Sequence, residues 1–256
     1  MRTLASALLT AAMACVPVAA MAHFQELIPS RDIVADGAAR QLELQLTFTH
    51  PMARGPAMEM GTPARFGVMG PHGREDLAAQ LSPVRVDGKG AFRARYAIRR
   101  PGDHVFFLEP APYWESGEGK MIVHYTKVVV SAFGGGEGWD RSVGFPVEIE
   151  PLVRPYGVWT GNLFRGIVRK NGKPVAFAEI EVEWRNDGSM SAPADPFVTQ
   201  LIKADATGAF SYAMPRAGWW GFAALIAGDR PMPNPAGQPV PVELGAVIWV
   251  NARDMK

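Results

Sequence analysis

The sequence predicts an all-β protein made of two consecutive β-sandwich domains. Three features point there. Apolar residues recur with period two rather than 3.6, Gly and Pro are abundant at 27 and 22 of 256 residues, and no strand–helix alternation appears that would build a parallel α/β sheet.

The elements follow in order. In Gln41–Thr49, Leu42, Leu44, Leu46 and Phe48 alternate with polar neighbours, and Phe92, Ala94, Tyr96 and Ile98 repeat the pattern before the Pro101-Gly102 turn. A strand at His104–Glu109 follows, then a long one over Met121–Phe133 that is broken by glycines 134, 135, 136 and 138. Pro146–Glu150 closes the first half. Only Arg74–Gln80 reads as helical. The second half begins near Tyr156, where Asn162–Val168 and Val175–Arg185 flank Asn171-Gly172, a strong two-residue hairpin signal. Within the latter strand Ile180, Val182 and Trp184 face one way and Glu179, Glu181 and Glu183 the other. Ala209–Met214, Trp219–Ile226 and Ala246–Val250 complete the set. This order, with its D-x-x-G-x-F-x-Y segment, makes the second sandwich transthyretin- or carboxypeptidase-regulatory-like. The expected divisions are a signal peptide at 1–22, a first domain at 23–152 and a second at 153–256.

Residues 1–22, MRTLASALLTAAMACVPVAAMA, carry Arg2, an apolar run and Ala20-Met21-Ala22 before a cleavage point. They predict a secreted, periplasmic protein whose mature chain starts at His23. Cleavage there removes the single cysteine, Cys15, so thiolate metal sites and a cysteine nucleophile drop out. The mature chain keeps 25 basic and 25 acidic side chains. With no basic run, a nucleic-acid partner is not expected. Nucleophile-elbow, Walker A, zincin and EF-hand motifs are also missing.

All five histidines, His23, His50, His72, His104 and His124, lie in the first half, which places the chemistry there. His23 is the most informative. A freed α-amino nitrogen and the Nδ1 of the same residue can close a chelate ring on Ni2+, Co2+ or Cu2+. His50 ends a strand before Pro51, where sites are commonly built. His124 sits in MIVHYTKVVV just after the carboxylates Glu115 and Glu118, and His104 opens a strand. These four are the candidate ligands. Glu115 and the loop methionines Met52, Met58 and Met60 are possible additions, although loop methionines more often fill a core. His72, in Gly70-Pro71-His72-Gly73, reads as a turn.

Several strings then become informative together: AHFQELIPS, TFTHPM, PYWESGEGKMIVHYTKVVVSAFG, GWDRSVGFPVEIEPLVRPYGVWTGN, GKPVAFAEIEVEW and GAFSYAMPRAGWWGFAAL. They resemble the NikK-type periplasmic components of nickel/cobalt energy-coupling-factor transport systems over essentially the whole mature chain. The resemblance implies binding of nickel or cobalt in a Gram-negative periplasm and delivery to membrane permease subunits, without enzymatic turnover. It maps the family's starting, THPM and HYTK histidines onto His23, His50 and His124, and it makes the second half a structural or docking domain. Two alternatives stay open. One is a copper histidine-brace oxidoreductase using the same amino-terminal histidine. The other is a carbohydrate-binding or adhesion module built on Trp139, Trp219 and Trp220, which otherwise read as core. Nitrogen donors alone do not separate nickel from cobalt or copper.

Overall fold

A computed structural model describes residues 23–255; the expected signal peptide and Cys15 lie outside the described residues. The protein is all-β, as its alternation predicts, with only two short 3-10 turns at Ala78–Gln80 and Asp195–Phe197 among the described residues.

The architecture is three layers. A large central sheet runs in the order Gln200–Lys203, Glu179–Trp184, Gly218–Ala227, Val242–Arg253, Lys120–Ala132, Gly102–Glu109, Arg65–Gly70, Gly73–Asp76. It crosses from the second half of the chain into the first at a parallel pairing that sets His124 opposite Gly245 and Val128 opposite Trp249. One face is covered by a sheet from the first half, ordered Phe24–Pro29, Gln41–Thr49, Lys89–Ala97, Ser82–Val86. The other is covered by a sheet that joins Val147–Pro151, expected to close the first half, to Leu163–Lys170 and Ala209–Ala213 of the second.

Strict alternation along the shared strands separates two cores. Val123, Phe107, Phe222 and Ile248 point to one, with Phe164 and Phe210; Val128, Phe106, Ala223 and Trp249 point to the other, with Phe24 and Leu44. The two sandwiches expected from the sequence therefore share their inner sheet. Every strand in its middle is covered on both faces, which explains why Met121–Ala132 is buried without a break.

Three local readings change. Gly70-Pro71-His72-Gly73 is a hairpin turn, as expected of His72, but Arg74–Asp76 continue as a strand paired with Gly67–Met69 instead of starting a helix. Asn171 and Gly172 both take positive φ, 49° and 76°, as a two-residue hairpin turn requires. That hairpin stops after Lys173–Pro174 and the chain crosses to the central sheet at Glu179. Glu183, expected on the polar side of its strand, is buried because that side faces the first-half sheet. Trp220 is buried in the core, and Trp139 and Trp219 pack against the cores, in keeping with their core reading.

Candidate metal site

The strand Phe24–Pro29, absent from the alternation pattern, makes the site. It pairs antiparallel with Gln41–Thr49 so that Phe24 faces Thr49 and Pro29 faces Leu44. Extending that register by one residue brings His23, just before one strand, beside His50, just after the other. Their rings stand 4.8 Å apart between centroids. His23 also contacts the rings of Phe48 at 5.7 Å and Tyr113 at 6.1 Å. Its Nε2 lies 2.9 Å from Glu115 Oε2, carried on the short strand Tyr113–Glu115. A carboxylate can only accept here, so Nε2 carries the proton and Nδ1 keeps the lone pair. Burial first, and then His50, hold the His23 pKa below the usual histidine value, with Glu115 opposing them. The ring is therefore neutral at pH 7, as a metal ligand must be.

His124 approaches the same corner from the central sheet. Phe48 separates it from His23, the Phe48 and His124 rings meeting edge-on at 5.9 Å. His124 is almost fully buried, and it fits because its cross-strand neighbour is glycine. A Cβ on Gly245 would lie 2.2 Å from His124 Cδ2. His124 Nε2 bonds Glu243 Oε1 at 3.2 Å, while its buried Nδ1 has no hydrogen-bond partner. A small cavity of about 20 Å³ touches Gln25, Phe48, Met60, Tyr113, Ile122 and His124, room for roughly one water.

Carboxylates line the flank of this corner. Glu243 also pairs with Lys120; despite burial, His124 and Lys120 pull its pKa down to about 2. Glu181 is pushed up to about 8 by burial and by Glu243 and Glu183. Glu183, pushed up to about 7 mainly by burial, accepts from the Met52 amide and the Thr199 hydroxyl.

The structure thus brings His23 into contact with both His50 and Glu115 and puts His124 behind Phe48. It places His104 elsewhere. His104 pairs with Val130, six residues along the strand from His124, which is roughly 20 Å at the rise of a β-strand. The methionines are packing residues: Met52 belongs to one core, Met60 to the other, and Met58 lies with Phe48 and Ile122. Among the described residues no three His, Cys, Asp or Glu side chains form a finished metal cage. The sequence reading missed Phe48, Gly245 and Glu243. Phe48 carried a signal, being two residues before His50 on the apolar side of its strand, but Glu243 and Gly245 carried none.

Comparison with known proteins fixes the family. Residues 20–228 match the domain of unknown function DUF4198. The chain belongs to that family. No curated protein sequence matches it. Among solved structures it is similar to Escherichia coli alpha-2-macroglobulin, at 10% identity and a TM-score of 0.26, over 90% of this chain and 14% of that one. It is likewise similar to latent PorU from Porphyromonas gingivalis, at 11% identity and a TM-score of 0.25, over 90% of this chain and 20% of that one. A third is a Ca2+-stabilised ice-binding adhesin of an Antarctic bacterium, at 10% identity and a TM-score of 0.23, over 91% of this chain and 49% of that one. The chain thus spans less than half the length of each, and likenesses at this level assign no function to this DUF4198 protein.

Proposed function

We propose that this protein binds a divalent transition-metal ion as cargo, nickel with cobalt as the close alternative, in the periplasm. It would pass the ion to membrane permease subunits of a nickel/cobalt transporter. One observation carries the reading: strand register sets His23 against His50, with the His23 Nε2–H held by Glu115. A metal-bound imidazole commonly donates its second ring N–H to a carboxylate, which fixes the other nitrogen for the ion. Here that leaves Nδ1, the atom that closes a chelate ring with the α-amine once the chain starts at His23. Glu115 then becomes a positioning residue rather than a ligand, His50 supplies a further nitrogen, and His124 waits behind Phe48. The resemblance of the sequence strings to NikK-type components supplies the choice of nickel and of the permease partner.

The test compares two proteins, one beginning at His23 and one carrying an extra residue ahead of it, each titrated with Ni(II) against a competing chelator. Loss of the chelating amine should weaken one-to-one binding by about 100-fold, some 2.7 kcal/mol. Affinity in the His23-first form should fall as pH drops below about 8, where an α-amine protonates. Equal binding by both forms would remove the amine from the site, and no binding by either would end the metal reading. The same corner with Cu(II) and peroxide tests the histidine-brace alternative, for which oxidation of an added substrate is the deciding signal.

A further inference from the structure

A second histidine lies at the floor of a pocket far from the His23 corner. His104 is nearly buried and lines a cavity of about 240 Å³ with His72, Glu75, Tyr96, Arg99 and Arg100. Its Nδ1 lies 3.1 Å from the Gly102 carbonyl. A carbonyl can only accept, so Nδ1 carries the proton, and Nε2 of the neutral ring is left as a hydrogen-bond acceptor. Burial keeps the ring neutral by holding its pKa below the usual value. Tyr96 donates its hydroxyl proton to Glu75 Oε2 at 3.1 Å, so that proton is already engaged.

The walls carry the opposite character. Arg99 and Arg100 are exposed and take part in no salt bridge among the described residues. Arg74 also lines the cavity, but its guanidinium donates to the Val143 carbonyl and stacks on Phe107, so it is already committed. Against the three arginines Arg74, Arg99 and Arg100 the lining sets one carboxylate, Glu75, so the pocket wall is net positive. Such a field attracts anions and disfavours a metal cation beside His104.

We propose that this pocket binds a small carboxylate bearing a hydrogen-bond donor on the adjacent carbon, an α-hydroxy or α-amino acid. The carboxylate lies against the guanidinium groups of Arg99 and Arg100, whose planar donor pairs suit it. The neighbouring O–H or N–H donates to His104 Nε2. A ligand with no such donor would bury that acceptor unmatched. An ammonium group would gain a second acceptor in Glu75, and a hydroxyl would not need it.

The experiment titrates the mature protein with glycolate, glycine and acetate, following the His104 ring signals by NMR and the affinity by calorimetry. Glycolate or glycine should bind about tenfold more tightly than acetate, the effect of one hydrogen bond. Glycine ahead of glycolate identifies the donor as an ammonium, and the reverse identifies it as a hydroxyl. The R99A/R100A variant, altered only at exposed positions, should lose both, while H104F should bind all three alike. Equal affinity for the three compounds in the parent protein would overturn the proposal. So would the lack of a saturable change at His104, or binding undiminished in R99A/R100A.

Discussion

Two residues of the strand Lys120–Ala132, His124 and Lys127, lead to two buried polar clusters on opposite faces of the central sheet. On the second-half side, Lys127 meets Glu148 at 2.6 Å, and Glu148 also accepts from Ser142 Oγ and from the amides of Val143 and Gly144. Burial alone would push the Glu148 carboxyl up, yet Lys127 and these donors together hold it below its usual value. On the first-half side, His124 shares Glu243 with Lys120 and keeps one buried ring nitrogen without a partner. A cluster with every group matched locks chain to chain. A cluster left one partner short, next to His23, His50 and Glu115, is equipped to take up something else. The difference is chemical rather than topological, because both clusters hang from the same backbone.

The largest effect should come from breaking the closed cluster. Lys127→Met strands the Glu148 carboxylate in the core and should cost about 3 kcal/mol, lowering Tm by roughly 6–12 °C for a chain of this size. Replacing both partners, Lys127→Met with Glu148→Leu, should recover most of that in a urea titration. If the single variant melted like the parent protein, the pair would not be the lock described.

A smaller effect is expected at the open cluster. Gly245→Ala drives a methyl into the His124 ring, and the resulting overpacking should cost about 1–3 kcal/mol. The same variant, titrated with Ni(II), asks whether His124 reaches the ion. Weakened binding places it in the site, whereas unchanged binding leaves His23 and His50 to hold the metal alone.

The smallest effect concerns the acids flanking that corner. Glu181 has a folded pKa of about 8, above its unfolded value, so the folded state holds more protons from about pH 4.5 upward. Stability therefore falls as pH rises through that window. Glu181→Gln should match the parent near pH 4 and exceed it by about 1 kcal/mol at pH 9 once solvent screening is allowed for. Glu183, with its pKa of about 7, should preserve part of the slope. An unaltered pH–stability curve would show that Glu181 ionises as freely in the fold as in the open chain.

Much of this was legible in the chain. Period-two alternation marked Gln41–Thr49 and residues 92–98, the strand end before Pro51 marked His50 as a candidate, and the carboxylates just upstream marked His124. Phe24–Pro29 escaped because all its residues are buried, Gln25 and Glu26 included, which erases alternation. Glu26 survives there by accepting from Thr47 and pairing with Arg185, partners distant in sequence. Arg74–Asp76 looked helical because an exposed edge strand has no buried face to impose a period. His104 was grouped with the other histidines because spacing along a chain says nothing about distance along a strand. The shared inner sheet was invisible for a similar reason, since no local pattern reports that residue 124 will pair with residue 245.

That parallel pairing also sets a clock. The corner needs the strand Phe24–Pro29, a middle strand and the strand Val242–Arg253, and the His124–Glu243 contact spans 119 residues. Contacts of such long range form late, after the loop between them has closed. A chain made from its amino end holds His23 and His50 long before Glu243 exists. With His124 and Glu243 included, the corner is therefore complete only in a finished molecule.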